Sequence, residues 1–210
     1  MGNGMNKVLP GLFIGNFRDA KDMEQITGNN ITHILAVHDN AKPSLETIEY
    51  KCVDITDNPG EDINLVLLKK RKKKRIRSKH FKDCVEFIHE ARKKNGNVLV
   101  HCIAGVSRSS TICAAYLITI TNLEWDEAIL AVRVARQVVN PNCGFQKQLQ
   151  TYQQMEAIKV RDGLEQKYGQ LDQSDVQYIK NALDNCQNEE RVDDILHTTP
   201  TFASYARKKR

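Results

Sequence analysis

The chain has 210 residues, which is enough for one domain with a sizeable hydrophobic core and an appendage but too few for two full domains. Its net charge of +5 comes from one segment. The basic run from Lys69 to Arg77 carries eight Lys and Arg, whereas the rest of the chain has 23 Lys and Arg and 26 Asp and Glu. This distribution argues against a surface that coats nucleic acid, so no nucleic-acid partner is expected.

The cysteine pattern and the hydropathy of the chain indicate the cellular compartment in which the protein is expected. Six cysteines occur without a CxxC pair, a metal-like Cys/His spacing or a preceding signal peptide. This pattern predicts a reducing, cytosolic environment and no bound metal or other cofactor. The longest apolar run near the middle, residues 110–121, is far shorter than the roughly 20 residues that span a bilayer, so no transmembrane helix is expected.

The first half of the chain predicts strands that alternate with helices. Apolar and β-branched runs predict three strands, over residues 6–16, 31–39 and 49–57. Between the first two, Asp19 is the expected N-cap and Gly28 the expected stop of a short helix. Apolar residues at helical spacing predict a second helix over 81–96, and a fourth strand follows at 97–102.

The second half predicts helices over 107–121, 125–137 and 144–169. The first of them is nearly apolar all round and is therefore expected to be central. Alternation of strands and helices predicts an α/β fold with a central, mostly parallel sheet flanked by helices. We expect a domain over residues 1–169. Residues 170–210 are polar and are expected to form a flexible tail, in which one weak helix could form over 175–186.

The most informative segment is NVLVHCIAGVSRSST, residues 97–111, which runs from the fourth strand through a turn into the central helix. Backbone N–H groups of such a turn can surround an anion, and the helix dipole adds positive potential. Gly105 permits a backbone conformation close to the ligand, and Arg108 can bind two phosphate oxygens. The same field lowers the pKa of the Cys102 thiol, which makes it a nucleophile.

The hypothesis is that this turn binds a phosphate group beside a nucleophilic cysteine. For Cys102 and for Asp57, a simpler structural explanation competes with it. A cysteine that closes an apolar strand can simply be part of the core, although core packing does not explain the neighbouring His101 and Arg108. Thiolate attack on a phosphate ester also requires a general acid, for which Asp54 and Asp57 are candidates near the third strand. Asp57 is the better one, because it precedes an Asn-Pro-Gly turn, but an Asp that merely initiates a turn is the alternative.

The segment VHCIAGVSRSS, residues 100–110, resembles the His-Cys-x5-Arg-Ser/Thr motif of the protein tyrosine phosphatase superfamily. Its loop filling, together with PNCGFQKQL at 141–149, resembles the dual-specificity branch. Residues 1–20 and 32–39 are similar to the small atypical dual-specificity phosphatases with a myristoylated N-terminus. The resemblance covers about residues 1–169 apart from one interruption, and it implies a cysteine-phosphatase-like fold with the phosphate-binding loop between a strand and a central helix.

The resemblance also implies roles for the matching residues. Cys102 matches the nucleophile, Arg108 the phosphate-binding arginine, Asp57 the general acid, and Ser109 the hydroxyl that assists breakdown of the cysteinyl-phosphate. Two further matches are supporting: His101 for holding the thiolate and Asn142 for buttressing the loop. The implied phosphate-binding loop consists of Ile103, Ala104, Gly105, Val106, Ser107 and Arg108, and the family uses no metal.

The implied function is removal of phosphate from phosphotyrosine and phosphoserine or phosphothreonine in proteins, through a cysteinyl-phosphate intermediate, on kinases of MAP-kinase pathways of the JNK type. The uncharged loop filling favours phosphoproteins over phosphoinositides. A binding or scaffold module that holds phosphopeptides without turnover is an alternative. Hydrolysis of a lipid phosphate or an RNA 5′ end is another.

Two features depart from the family pattern. A basic insertion at about 63–77 follows the general-acid loop and could displace Asp57, although insertions with close ends are well tolerated. Gly2 fits myristoylation, but Asn6 stands where the pattern has Ser or Thr. One acyl chain binds membranes weakly, so our hypothesis is that the basic run provides a second membrane signal. The alternatives are that the run is a solvated loop or a nuclear localisation signal. We expect the protein to be cytoplasmic, with peripheral association to the inner face of the plasma membrane. The nucleus is a second expected location.

Overall fold

The computed structural model describes residues 4–61 and 80–188. In these parts of the chain, five strands form one sheet in the order β1-β2-β5-β3-β4. The β1–β2 pair is antiparallel, and the other three pairs are parallel. The strands are β1 (Asn6–Leu9), β2 (Leu12–Gly15), β3 (Ile31–Val37), β4 (Glu49–Val53) and β5 (Asn97–His101).

Seven α-helices accompany this sheet in the described residues, and a 3₁₀ turn at Asp19–Lys21 precedes the first of them. The helices are α1 (Met23–Gly28), α2 (His80–Lys93), α3 (Arg108–Thr121), α4 (Trp125–Ala135), α5 (Cys143–Met155), α6 (Ala157–Tyr168) and α7 (Gln173–Asn188). This architecture confirms the predicted α/β class with a mostly parallel sheet. No helix of the two described ranges is long and apolar enough to cross a membrane.

Helix α3 lies at the centre of the molecule, as its nearly apolar surface predicts. Every one of its 14 residues is buried, and it packs against the sheet and against α2, α4, α5 and α6. Strand β5, in the middle of the sheet, is buried over four of its five residues. Because β5 runs directly into α3, the connecting turn lies at the carboxyl end of the central strand, where parallel sheets place their ligand sites.

Three local predictions need correction. The segment expected to be one strand over 6–16 is a hairpin, because Pro10 and Gly11 form a turn in which Gly11 has φ of +80°. The N-cap of α1 is Asp22, whose carboxylate accepts hydrogen bonds from two backbone N–H groups of the first turn. Asp19 instead accepts a hydrogen bond from the backbone N–H of Asn16, at 2.8 Å.

The helix expected over 144–169 is two helices, α5 and α6, which meet at Glu156. Apolar residues are buried at helical spacing on each side of the junction, but five positions separate the last of one set from the first of the next. The sets are Phe145, Leu149 and Tyr152 on α5, and Ala157, Val160 and Leu164 on α6. A straight helix would turn the second set away from the core, so the chain bends.

The domain boundary expected at Gly169 also needs correction, because α7 packs on the domain and includes the weak helix expected at 175–186. Asp175 is 6% exposed and binds Arg92 of α2 through two hydrogen bonds of 2.7 and 2.8 Å. Ile179 is buried in the main core. Gly2, the basic insertion and the chain beyond residue 188 lie outside the described residues.

Candidate active site

Cys102 lies at the start of the turn between β5 and α3, with 1% of its surface exposed. The backbone N–H of Gly105 points at its sulfur, with N and Sγ 3.2 Å apart. The hydroxyl oxygen of Ser109, in the first turn of α3, lies 3.4 Å from the same sulfur. Backbone and hydroxyl donors of the turn therefore point at the Cys102 sulfur, as the sequence predicts.

Burial of Cys102 by itself raises the pKa of the thiol, because an apolar environment disfavours the charged form. Hydrogen bonds from the Ser109 hydroxyl and from the backbone N–H groups of Ser109, Val106 and Gly105 oppose this effect. They outweigh it, and the pKa of Cys102 lies below its ordinary value of 9.0. A lowered pKa in a buried thiol is typical of a nucleophilic cysteine.

Gly105 holds the turn in a shape that other residues would not adopt. Its φ is +70°, and a Cβ at this position would lie 2.7 Å from the carbonyl oxygen of Gly15 on β2. The loop therefore packs directly on the end of the neighbouring strand. The strand end and the glycine together leave the loop N–H groups facing the thiol.

Arg108 begins α3 and is 6% exposed. Its Nη1 donates to the carbonyl oxygen of Ile55, at 3.1 Å, which aligns the guanidinium with the chain leaving β4. Carboxylates lie on two sides of it: Asp39 Oδ1 is 3.6 Å from Nη1, and Asp57 Oδ2 is 3.7 Å from Nε. No atom of the described residues accepts a hydrogen bond from the buried Nε. The planar guanidinium is suited to binding two phosphate oxygens.

Asp57 is held at the phosphate loop by two donors. Ser107 Oγ donates to Asp57 Oδ1 at 2.7 Å, and Asn142 Nδ2 donates to the same oxygen at 3.0 Å. The backbone N–H of Asn142 also donates to Ser107 Oγ, at 3.2 Å. The Asp57 side chain is 36% exposed, so its carboxyl can reach a ligand above the loop. Asp54 faces elsewhere and accepts a hydrogen bond from the backbone of Asn40.

The loop that carries Asp57 is ordered by its own contacts up to residue 61, where the described part ends before the basic insertion. The Thr56 hydroxyl donates to the Glu61 carboxylate at 2.6 Å, and the Gly60 N–H donates to the side chain of Asn58 at 2.9 Å. Gln148 of α5 donates to the Glu61 backbone at 2.7 Å. The structure thus brings Asp57 to the phosphate loop in the chain that carries the insertion.

His101 is buried at 3% exposure beside the thiol. Its Nδ1 lies 3.3 Å from the carbonyl oxygen of Cys102 and donates to it. Burial lowers the pKa of His101 to about 4, so the ring is neutral at physiological pH and supplies no positive charge to the thiolate. Its contribution is to the backbone orientation of Cys102. Its ring also faces His38 and Phe17, with centroids 5.5 and 6.4 Å away.

Two cavities flank the phosphate loop, and Phe17 lines both. The larger, of about 560 Å³, includes Ile103, Ala104 and Val106 of the loop. The smaller, of about 220 Å³, lies on the side of His101. Ile103 and Phe17 are 51% and 37% exposed, so the rim of the site is open and partly apolar.

Sequence reasoning missed two features of this site. Asp39, next to Arg108, follows β3 in the same way that Asp57 follows β4, and its position at the carboxyl end of a parallel strand was the available signal. The role of Ser107 as a donor to Asp57 has no local signal, because 50 positions separate the two residues. Within the described residues, no group of three or more His, Cys, Asp or Glu is arranged to hold a metal ion.

Known proteins with similar sequences have the activity that this geometry suggests. Residues 12–155 match the family model of the dual specificity phosphatase catalytic domain. The chain is 45% identical over 183 residues to human dual specificity protein phosphatase 22, covering 87% of this chain and 92% of the relative. It is 42% identical over 187 residues to mouse dual specificity protein phosphatase 15, covering 89% and 74% of the two chains.

The fold agrees with a solved member of the same group. The crystal structure of DUSP15 superimposes with a TM-score of 0.71 at 43% identity, covering 80% of this chain and 99% of the other. The strand, the cysteine-containing loop and the buried helix described above therefore occur in a chain that is similar to dual specificity phosphatases over 87–89% of its own length. This chain belongs to the dual-specificity protein phosphatases, in their atypical branch, a family of enzymes that dephosphorylate proteins.

Proposed function

We propose that this phosphatase transfers the phosphoryl group of its substrate to the Cys102 sulfur. In this step the S–P bond forms, the bond between phosphorus and the ester oxygen breaks, and Asp57 protonates the leaving oxygen. Arg108 and the N–H groups of residues 103–108 bind the other phosphate oxygens. The observation that carries the proposal is the lowered pKa of a buried thiol with Asp57 tethered to the same loop.

In the second step, water attacks the cysteinyl-phosphate, and the sulfur leaves as a thiolate. Asp57, now deprotonated, accepts a proton from the water. Ser109 stabilises the departing thiolate, because its hydroxyl lies 3.4 Å from the sulfur. His101 and Asn142 support the arrangement, through the Cys102 carbonyl and through Asp57 and Ser107 respectively.

The direct test is phosphate release from an aryl phosphate by the purified protein across pH, with EDTA present. The parent is compared with Cys102→Ser, Arg108→Lys and Asp57→Ala. We expect metal-independent turnover that is abolished by Cys102→Ser, strongly reduced by Arg108→Lys, and reduced by Asp57→Ala. A folded parent that binds phosphotyrosine peptides without turnover would instead show a phosphopeptide-binding or scaffold module. Turnover retained by Cys102→Ser would refute the covalent mechanism.

We further propose that the substrates are phosphotyrosine and phosphoserine or phosphothreonine on proteins, among them kinases of MAP-kinase pathways of the JNK type. Support comes from the uncharged loop residues 103–107, which offer no lysine to an inositol phosphate, and from the open rim at Ile103 and Phe17. Turnover of doubly phosphorylated activation-loop peptides, compared with phosphoinositides and RNA 5′-triphosphate, tests this assignment. A preference for either non-protein substrate would contradict it.

Membrane association is also a proposal. A myristoyl group on Gly2 and the basic run from Lys69 to Arg77 together would place the enzyme at the inner face of the plasma membrane, with a cytoplasmic and a nuclear pool. Fractionation of cells that express the parent, Gly2→Ala and a variant with the basic run neutralised separates the two contributions. An unchanged membrane fraction in Gly2→Ala would exclude acyl anchoring.

A further inference from the structure

Arg136 is a buried cation close to the phosphate loop that lies outside the Cys-x5-Arg motif. It follows the last residue of α4 and is 4% exposed. Burial of a guanidinium is costly unless its donors are paired. Its partners therefore indicate what this side chain does.

The first partner lies inside the phosphate loop. Arg136 Nε donates to the carbonyl oxygen of Gly105, at 3.0 Å. That carbonyl and the N–H of Val106 belong to one planar trans peptide, whose two ends point in opposite directions. The Val106 N–H is one of the backbone groups that lower the pKa of the Cys102 thiol, and the neighbouring N–H of Gly105 donates to the sulfur at 3.2 Å. The guanidinium thus binds the outer end of a peptide whose inner end faces the nucleophile.

The other partners lie in the N-terminal segment, residues 4–6. Arg136 Nη1 donates to the carbonyl oxygen of Gly4 at 2.9 Å and to Asn6 Oδ1 at 2.7 Å. The backbone N–H of Met5 in turn donates to the side chain of Gln25 at 2.6 Å. The Arg136 side chain therefore joins the N-terminal segment to the phosphate loop, although 130 positions separate Asn6 from Arg136.

We propose that Arg136 is a positioning residue that fixes the Gly105–Val106 peptide so that its N–H points at the Cys102 sulfur, and that the N-terminal segment fixes Arg136 in turn. A charged donor on the carbonyl also polarises the peptide and strengthens its N–H as a donor. The inference rests on the proposed role of Cys102 as the nucleophile. It extends that role, because it couples the N-terminal segment to thiolate formation.

The test measures thiolate formation directly and does not depend on turnover. The rate of Cys102 alkylation by iodoacetate is followed from pH 4 to 9 by mass spectrometry of the peptide that contains it, since Cys52 and Cys143 are exposed and also react. We expect Arg136→Gln to raise the thiol pKa by about one unit, which lowers the alkylation rate about tenfold below that pKa. The other ionisable groups around Cys102 are unchanged in this variant: His38, Asp39, Asp57, His101, Arg108 and Cys113.

Arg161→Gln is the matched control. Arg161, half-buried in α6, donates to the carbonyl oxygens of Thr119 and Ile118, at the end of α3 that is remote from the phosphate loop. We expect its removal to lower the melting temperature without moving the alkylation profile. Arg136→Lys should restore part of the parent profile, because an ammonium group can still donate to one carbonyl.

A milder variant tests the N-terminal part. Asn6→Ala removes one acceptor of Arg136 from a half-buried position, and we expect a shift in the same direction as Arg136→Gln but smaller. If Arg136→Gln does not fold, Arg136→Lys and Asn6→Ala provide the test. Identical alkylation profiles in folded Arg136 variants and the parent would overturn the positioning role, whereas turnover retained by Cys102→Ser would overturn only the proposed mechanism.

Discussion

The Ser107 hydroxyl donates a hydrogen bond of 2.7 Å to Asp57 Oδ1, which ties the loop after β4 to the phosphate loop. Asn142, the N-cap of α5, donates to the same oxygen. Three separate segments of the chain therefore meet at one carboxylate. Because a general acid works only when its proton lies within reach of the leaving oxygen, this contact connects the packing of the fold to the chemistry.

Ser107→Ala should impair protonation of the leaving group. We expect kcat/KM for phenyl phosphate, a poor leaving group, to fall about tenfold, less than the full 10²–10⁴ that general acid catalysis supplies, because Asn142 still holds Asp57. With p-nitrophenyl phosphate, whose leaving group needs less protonation, the decrease should be smaller. Equal losses on the two substrates would show that Ser107 acts on phosphate binding and not through Asp57.

Gly144→Ala should displace the same carboxylate from the other side. A Cβ at Gly144, in the first turn of α5, would overlap the backbone of Pro59 in the Asp57 loop. We expect kcat to fall by about tenfold or more, because loss of general acid catalysis typically costs 10²–10⁴-fold. Alkylation of Cys102 should stay at the parent rate. Gly163→Ala is the control, since a Cβ there meets nothing within 4 Å. It should leave kcat unchanged and stabilise α6 by about 0.5–1 kcal/mol. Parent-like kcat in Gly144→Ala would show that the loop can shift without cost to catalysis.

Ser109→Ala should change the pH dependence. The hydroxyl of Ser109 lowers the pKa of Cys102, so its removal raises that pKa and leaves less thiolate at any pH below it. The acidic limb of kcat/KM should move to higher pH. Breakdown of the cysteinyl-phosphate should also slow, which rapid-mixing kinetics would detect as a burst of product. A parent-like acidic limb would show that the backbone donors alone set the thiol pKa.

Asp175→Ala should loosen α7 from the domain. Arg92 and Asp175 form a paired contact with side chains only 13% and 9% exposed, and Arg92 also donates to the Tyr116 hydroxyl. Removing one partner of a buried pair leaves an uncompensated charge, so we expect the free energy of unfolding to fall by about 3 kcal/mol. Asp184→Ala, at an exposed position of the same helix, is the control in urea denaturation. Equal unfolding free energies in the two variants would mean that α7 adds little stability.

The local sequence pattern was sufficient to predict an element when that segment alone specifies its structure. Helix α3 is nearly apolar all round and is buried along its whole length, as the sequence predicts. Local pattern failed where neighbouring structure decides: Asp19 has the chemistry of an N-cap, but Asp22 caps α1. The α5–α6 break is visible only once the burial of Tyr152 and Ala157 on one core shows that the helical spacing is interrupted.

The sequence by itself determined the strand, the cysteine-containing turn and the helix that follows it, because Cys102, Gly105 and Arg108 lie within seven consecutive residues and local backbone geometry sets their arrangement. Only the tertiary structure decided which groups surround them. Asp57, Asn142 and Arg136 reach the phosphate loop from other elements, and such contacts depend on how β4, α4 and α5 pack around the central sheet. Long-range packing follows no fixed spacing in the sequence. The family resemblance implied Asp57 and Asn142, but no pattern in the sequence pointed to Arg136.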